Sequence, residues 1–124
     1  MAMHQTARLS NQPMLSHEKS IMQIGCYLLD TQKWGIIYKP DKTKGLECYI
    51  DADFAGTWSQ ADANNAENVL SCTGYVLMYA NCPILWVSCL QTEIALSTAE
   101  AEYIALSQAL CDDILLITLL KEIN

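Results

Sequence analysis

Positive charge is what this sequence has least of. Its 7 Lys and Arg residues face 14 Asp and Glu, giving a formal charge of -7 and a pI near 4.5. A field of that sign repels phosphate chains, so composition by itself argues against a nucleic-acid partner, and any such reading has to account for the sign. Cysteine pairs at metal spacing are absent too. The 6 cysteines include no CxxC pair and neither His4 nor His17 stands at zinc-finger distance from one, which excludes the common zinc frameworks and leaves free thiols. No apolar stretch approaches the roughly 20 residues of a bilayer span; those present, such as Ile114 to Leu120, are far shorter. The N-terminus, MAMHQTARLS, has no apolar core of the kind a secretory signal needs. Together these absences lead to the expectation of a soluble, intracellular chain with no membrane partner. Internal repeats, linkers and low-complexity tracts are missing as well.

What is present suits one compact domain: 124 residues, 52% of them hydrophobic. Between Ser16 and Thr31 the apolar residues Ile21, Ile24, Tyr27 and Leu28 recur at three- and four-residue spacing behind Ser16 as a helix cap, predicting an amphipathic helix. Gly35 to Tyr38 is a short strand candidate closed by Pro40 and the polar turn Asp41 to Gly45. Leu46 to Asp53 is a strand pattern, and Gly56 to Asn68 is polar and reads as a loop. Gly74 to Tyr79 and Ile84 to Val87, joined by Ala80 to Pro83, predict an antiparallel hairpin. A final helix, rich in Ala, Leu and Ile, runs from Ser97 to about Lys121. The order predicts an α/β or α+β arrangement: an N-terminal helix, three strands, then a long helix packed on the sheet.

Two acidic pairs stand out, Asp51-Ala-Asp53 at a strand end and Glu100-Ala-Glu102 at a helix start. Carboxylates brought together from such ends suit Mg²⁺ or Mn²⁺, which prefer oxygen ligands. Each pair is weak evidence by itself, because acids in a first helical turn also complement the helix dipole. Helix chemistry separates the two glutamates. With Ser97 as cap, Ser97-Thr-Ala-Glu100 fits the capping box, so Glu100 has a local role. Glu102 points about 200° away. It shares a stripe with Leu106, Ala109 and Asp113, expected to face the sheet and leave Glu102 half buried.

Tyr49-Ile-Asp-Ala-Asp-Phe-Ala-Gly56, Thr73-Gly-Tyr-Val76, Pro83-Ile-Leu-Trp86 and Ala95-Leu-Ser-Thr-Ala-Glu-Ala-Glu-Tyr-Ile-Ala-Leu106, in this order, resemble the ribonuclease H region of copia-type retrotransposon Pol polyproteins. The preceding stretch, with Ile37-Tyr-Lys-Pro-Asp-Lys42, resembles the segment that joins reverse transcriptase to that region. The resemblance implies residues 1-45 as the end of the reverse transcriptase or connecting segment, and 46-124 as the N-terminal part of a ribonuclease H-like domain. It implies a mixed five-stranded sheet and hydrolysis of the RNA strand of RNA–DNA hybrids. Asp51 and Glu102 match two catalytic, metal-holding carboxylates of two-metal hydrolysis, and Asp53 stands as a further metal candidate of lower rank. The implied cofactor is Mg²⁺ or Mn²⁺. The implied partners are the hybrid and the rest of the Pol polyprotein, in the cytoplasm within virus-like particles or in the nucleus.

The family pattern also requires a third aspartate on the strand after this helix, and a further ligand beyond it. The chain stops at Asn124, before both. Asp112 and Asp113 lie about 15 Å along the helix from Glu102, too far to substitute. The expectation is therefore a C-terminally truncated domain that binds metal weakly, is inactive alone, and leaves an apolar strand edge open. Relatives usually carry basic residues where this chain has Gln23, Cys26, Cys72, Cys89 and Cys111, which would explain the acidity as decay of a genomic copy. The alternative is a non-catalytic retroelement-derived fragment that pairs through its open sheet edge. A DxD glycosyltransferase fails for want of a nucleotide-binding unit before Asp51.

Overall fold

The computed structural model describes residues 6–7, 15–56 and 69–123. Its chain divides into two compact units, Met1–Tyr38 and Lys39–Asn124. In the first, α1 spans Leu15–Asp30. The helix already includes Leu15 and Ser16, so Ser16 is a residue of its first turn and not its cap; its carbonyl accepts from Ser20 Oγ at 3.1 Å. At the other end the Thr31 N–H and hydroxyl both donate to the Tyr27 carbonyl, at 3.0 and 2.7 Å. No residue of α1 is buried. The strand expected at Gly35 to Tyr38 does not form. These residues lie in irregular backbone with Ile37 81% exposed, because a short apolar run becomes a strand only where another strand can take its backbone groups.

The second unit opens with a turn in which Asp41 Oδ1 accepts from the Thr43 N–H and hydroxyl, at 2.9 and 2.6 Å, the side-chain mimicry of a backbone turn typical of aspartate. The turn is tied to the tip of the following hairpin: Asp41 N–H donates to Ala80 O and Ala80 N–H to Gly45 O. Three strands follow, β1 (Leu46–Asp53), β2 (Cys72–Tyr79) and β3 (Cys82–Leu90), in the order β1-β2-β3 and antiparallel throughout. With the two flanking helices this is an α+β fold. The loop expected at Gly56 to Asn68 falls, beyond Gly56, outside the described residues.

The hairpin is tighter than the four-residue turn read from the sequence. Cys82 and Pro83 belong to β3, and the reversal is made by Ala80 and Asn81 alone, with φ of 50° and 63°. Two successive left-handed residues are what the twist of a two-residue hairpin asks for. Pro83 is accommodated because Leu77 pairs with Leu85 while Met78 pairs with Pro83, which leaves Ile84 as an extra residue on β3. A bulge on an edge strand is where a residue without an N–H is tolerated.

The last helix, α2, spans Thr98–Ile123. Its buried residues are Ala101, Ala105 and Ala109, a stripe at four-residue spacing and small enough to let the backbone approach the sheet closely. The stripe shares Ala109 with the expected one but runs through Ala101 and Ala105 in place of Glu102 and Leu106, so Glu102 sits at its rim and is exposed. Thr73, Tyr75 and Leu77 are buried at alternate positions of β2, and the Tyr75 hydroxyl donates to Asp112 of α2. The other face is open, with Tyr49 61% and Trp86 63% exposed on either side of Val76. By length and composition α2 as a whole could cross a membrane, although its longest uninterrupted apolar run could not. Its alanine stripe is instead spent on the sheet, and Asp112 and Asp113 interrupt its middle.

Two outcomes follow. Ala80 adopts a φ that an L side chain resists, so replacing Ala80-Asn81 by Asn-Gly is expected to raise stability by about 1 kcal/mol, read from the urea midpoint. Burial, and after it the hydrogen bond to Asp112, hold the Tyr75 phenol far above its ordinary value of 10.0. A group whose pKa rises on folding stabilises fully below its unfolded value and loses that contribution as pH climbs beyond it. Stability should therefore fall above about pH 10, and less steeply in Tyr75→Phe. The slope is reduced and not abolished, because burial also raises the Cys48 and Cys89 thiols.

Candidate functional site

Asp51 lies near the end of β1, paired with Gly74 of β2. Side chains alternate along a strand, so Asp51 and Asp53 share one side of it. They do not share surroundings. The chain turns sharply after Asp53, with Ala55 at a φ of 46° and its N–H on Ser71 Oγ at 3.3 Å. Asp53 lies so close over Gly56 that a Cβ there would collide with its carboxylate. Any larger residue there would require the Asp53 side chain to move. The Asp53 carboxylate thus belongs to the turn.

The two glutamates of α2 divide as the capping chemistry requires. Ser97 Oγ accepts from the Glu100 N–H at 3.1 Å, and the Ser97 carbonyl takes the first helical hydrogen bond, from Ala101 N–H at 3.1 Å. Glu100 reaches back one residue further than the standard box: its Oε2 accepts from the Leu96 N–H at 2.7 Å. Glu100 is committed to the helix start. Glu102, exposed on the next face, has no such commitment.

Glu102 and Asp51 meet in one cleft. About 390 Å³ in volume, it is lined by Ile50 and Asp51 of β1 and by Ala99, Glu102, Tyr103 and Leu106 of α2. β1 is an edge of the described sheet. Asp53 is not among the lining residues. The Asp51 and Glu102 carboxylates are both hard oxygen donors of the kind that suits Mg²⁺ or Mn²⁺, which binds through one or two carboxylates and retains water in its other positions. By register Asp51 shares the open face of β1 with Tyr49, and it also borders a second cleft there with Tyr49, Val76 and Trp86. Among the described residues no group of three or more His, Cys, Asp or Glu converges.

Asp112 and Asp113, further along α2, lie against the sheet and not in the cleft. Asp112 accepts from Tyr75, and Asp113 Oδ1 is buried without a hydrogen-bond partner among the described residues. Asp113 lies close enough to Cys48 that its charge, after burial, helps to raise that thiol's pKa. All 6 cysteines are free.

The sequence pattern missed a group of buried polar residues at the same end of the sheet. Ser71 and Thr73 are fully buried and Gln91 is 1% exposed. Gln91 Nε2 donates to Thr73 Oγ1 at 3.1 Å and to the Ala101 carbonyl at 2.8 Å. Periodicity carried no signal for them, since polar residues flanking a strand read as loop.

No protein-family model matches the chain, and no solved structure does. Curated relatives do. Over 102 residues, 82% of its length, the chain is 30% identical to the retrovirus-related Pol polyprotein from transposon RE1 of Arabidopsis thaliana. Over 63 residues it is 43% identical to the retrovirus-related Pol polyprotein from transposon TNT 1-94 of Nicotiana tabacum. It spans only 6% and 4% of these polyproteins. It is also 31% identical to the secreted RxLR effector protein 161 of Plasmopara viticola, over 83% of its own length and 67% of that protein's. The chain therefore belongs to a sequence family that it shares with this last protein and with a short segment of retrovirus-related Pol polyproteins of plant transposons.

Proposed function

We propose that this chain derives from the ribonuclease H of a copia-type element, with residues 46-124 as the N-terminal part of that domain and 1-45 as the preceding connecting segment. One observation carries the reading: Asp51 and Glu102, far apart in sequence and chosen by the motif resemblance, line the same cleft. The Pol relatives support the retroelement origin. The substrate is the RNA strand of an RNA–DNA hybrid, and the rest of the Pol polyprotein is the partner, in an intracellular setting.

Asp51 and Glu102 would hold the Mg²⁺ or Mn²⁺. When bound, the metal supplies water activation and charge neutralisation at the leaving 3′-oxygen. The chain's own contribution is placement. Asp51 is fixed by its pairing with Gly74. The capped start of α2 sets where Glu102 enters the cleft, and Tyr103 and Leu106 form the adjoining wall. The sign of the protein's charge also becomes intelligible, because a chain of charge -7 approaches phosphate productively only where a divalent cation offsets its carboxylates. A second reading, a non-catalytic fragment that associates through strand pairing, draws on the outer edge of β1, which no other described strand covers.

Mn²⁺ titration of the full chain, paired with cleavage of a labelled hybrid, tests the proposal. Asp51→Asn and Glu102→Gln are each expected to remove Mn²⁺ binding, and with it any RNA-strand cleavage. Glu100→Gln should leave Mn²⁺ binding intact and cost about 0.5 to 1 kcal/mol of stability through the weakened helix start. Self-association of the chain with no Mn²⁺ binding favours the second reading. Mn²⁺ binding indifferent to both carboxylate substitutions overturns the site.

A further inference from the structure

We infer that Gln91 is a positioning residue of this site, a buried amide that fixes the spacing between β2, the strand paired with the one bearing Asp51, and the helix bearing Glu102. The inference rests on the site reading above. Gln91 directly follows β3, and its backbone is anchored by its N–H on the Ser71 carbonyl at 2.9 Å. Its side chain is 1% exposed and spans between two elements. One Nε2 hydrogen bond goes to Thr73 Oγ1, the other to the Ala101 carbonyl.

Both acceptors adjoin the carboxylates. Thr73 precedes Gly74, the cross-strand partner of Asp51. The Ala101 carbonyl belongs to the peptide unit that leads into Glu102. That carbonyl has a second lone pair beyond its helical hydrogen bond, and Gln91 uses it. A single side chain therefore ties the Thr73 hydroxyl, on the strand that pairs with β1, to the backbone that leads into Glu102. Ser71 extends the same network to the turn after β1, through its Oγ on the Ala55 N–H.

The arrangement is a costly one for a residue with no role beyond filling space. Gln91 Oε1 is buried with no hydrogen-bond partner among the described residues, and an unsatisfied buried acceptor is a penalty that an apolar side chain of the same size would avoid. Directionality distinguishes the amide from such a side chain. Two like charges in one cleft repel, the alanine stripe of α2 offers little that resists sliding along the sheet, and the other hydrogen bond that ties α2 to β2, from Tyr75 to Asp112, lies near mid-helix, away from the cleft. Two hydrogen bonds from one planar group do resist that sliding.

The test uses the full chain, with free Mn²⁺ followed by its electron paramagnetic resonance signal. Gln91→Met, close in volume and without the donors, is expected to weaken Mn²⁺ binding about tenfold, the usual scale for a group that orients a metal ligand. Leu77→Ala, which opens a cavity in the core away from the cleft, should lower the melting temperature yet leave affinity within about twofold. A measurement on the unsubstituted chain does not depend on any variant folding. Coupling is reciprocal, so saturating Mg²⁺ should slow hydrogen exchange of the Gln91 side-chain amide. Unchanged affinity in folded Gln91→Met, or exchange indifferent to Mg²⁺ in a chain whose Mn²⁺ binding needs Glu102, overturns the positioning role and leaves the site standing. Mn²⁺ binding that survives Glu102→Gln overturns both.

Discussion

The close seating of α2 on one face of the sheet is the constraint on which the rest depends. Ala101, Ala105 and Ala109 are fully buried, and with only methyl groups between them and the strands the helix axis has little freedom to tilt. That approach brings the Tyr75 hydroxyl to Asp112 near the middle of α2 and the Gln91 amide to Ala101 at its start. It also decides what cannot be buried. Glu102, one position beyond the stripe, is carried to the rim and into the cleft beside Asp51. A larger residue in the stripe would lift the helix and part the two carboxylates before it changed anything else.

Seating and charge act against each other at this end of the molecule. Two carboxylates in one cleft, within a chain whose formal charge is -7, raise the local density of negative charge, and nothing in the cleft lining offsets it: the other residues there are Ile50, Ala99, Tyr103 and Leu106. Lys44, the base nearest to β1 in the chain, is engaged with Glu47 at 3.3 Å. The divalent cation of the proposed reading would offset that negative charge without new side chains. Asp53 shows the other outcome for an acid in the same strand, drawn into a tight turn over Gly56 and so removed from the cleft.

Much of this was legible in the sequence where local chemistry dictates structure. The period of α1, the alternation of β1 and the Ser97 cap each depend on residues a few positions apart, and all three elements form. The motif order also selected Asp51 and Glu102 before any geometry was known. What escaped depends on partners distant in the chain. Gly35 to Tyr38 has strand composition and no strand beside it. The buried stripe of α2 keeps the expected Ala109 but takes Ala101 and Ala105 in place of Glu102 and Leu106, because the close approach to the sheet favours alanine over the larger side chains. Gln91 and Thr73 are polar residues whose role exists only once β2, β3 and α2 have met.

The distribution of polar and apolar groups explains why the cleft lies where it does. Apolar side chains are plentiful, at 52% of the sequence, yet many of the largest remain exposed, among them Ile114, Leu115 and Ile123 toward the end of α2 and Tyr49 and Trp86 on the open sheet face. At the opposite end of α2, the fully buried polar residues Ser71, Thr73 and Gln91 join β2, β3, the turn after β1 and the first turn of the helix. Apolar contact is non-directional and tolerates small displacements, whereas hydrogen bonds weaken steeply with misalignment. Under the proposed reading, a pair of carboxylates that presents oxygens to one cation draws on the second kind of support. The end of the fold held by hydrogen bonds is the end that bears Asp51 and Glu102, and the end held by loose apolar surface bears neither.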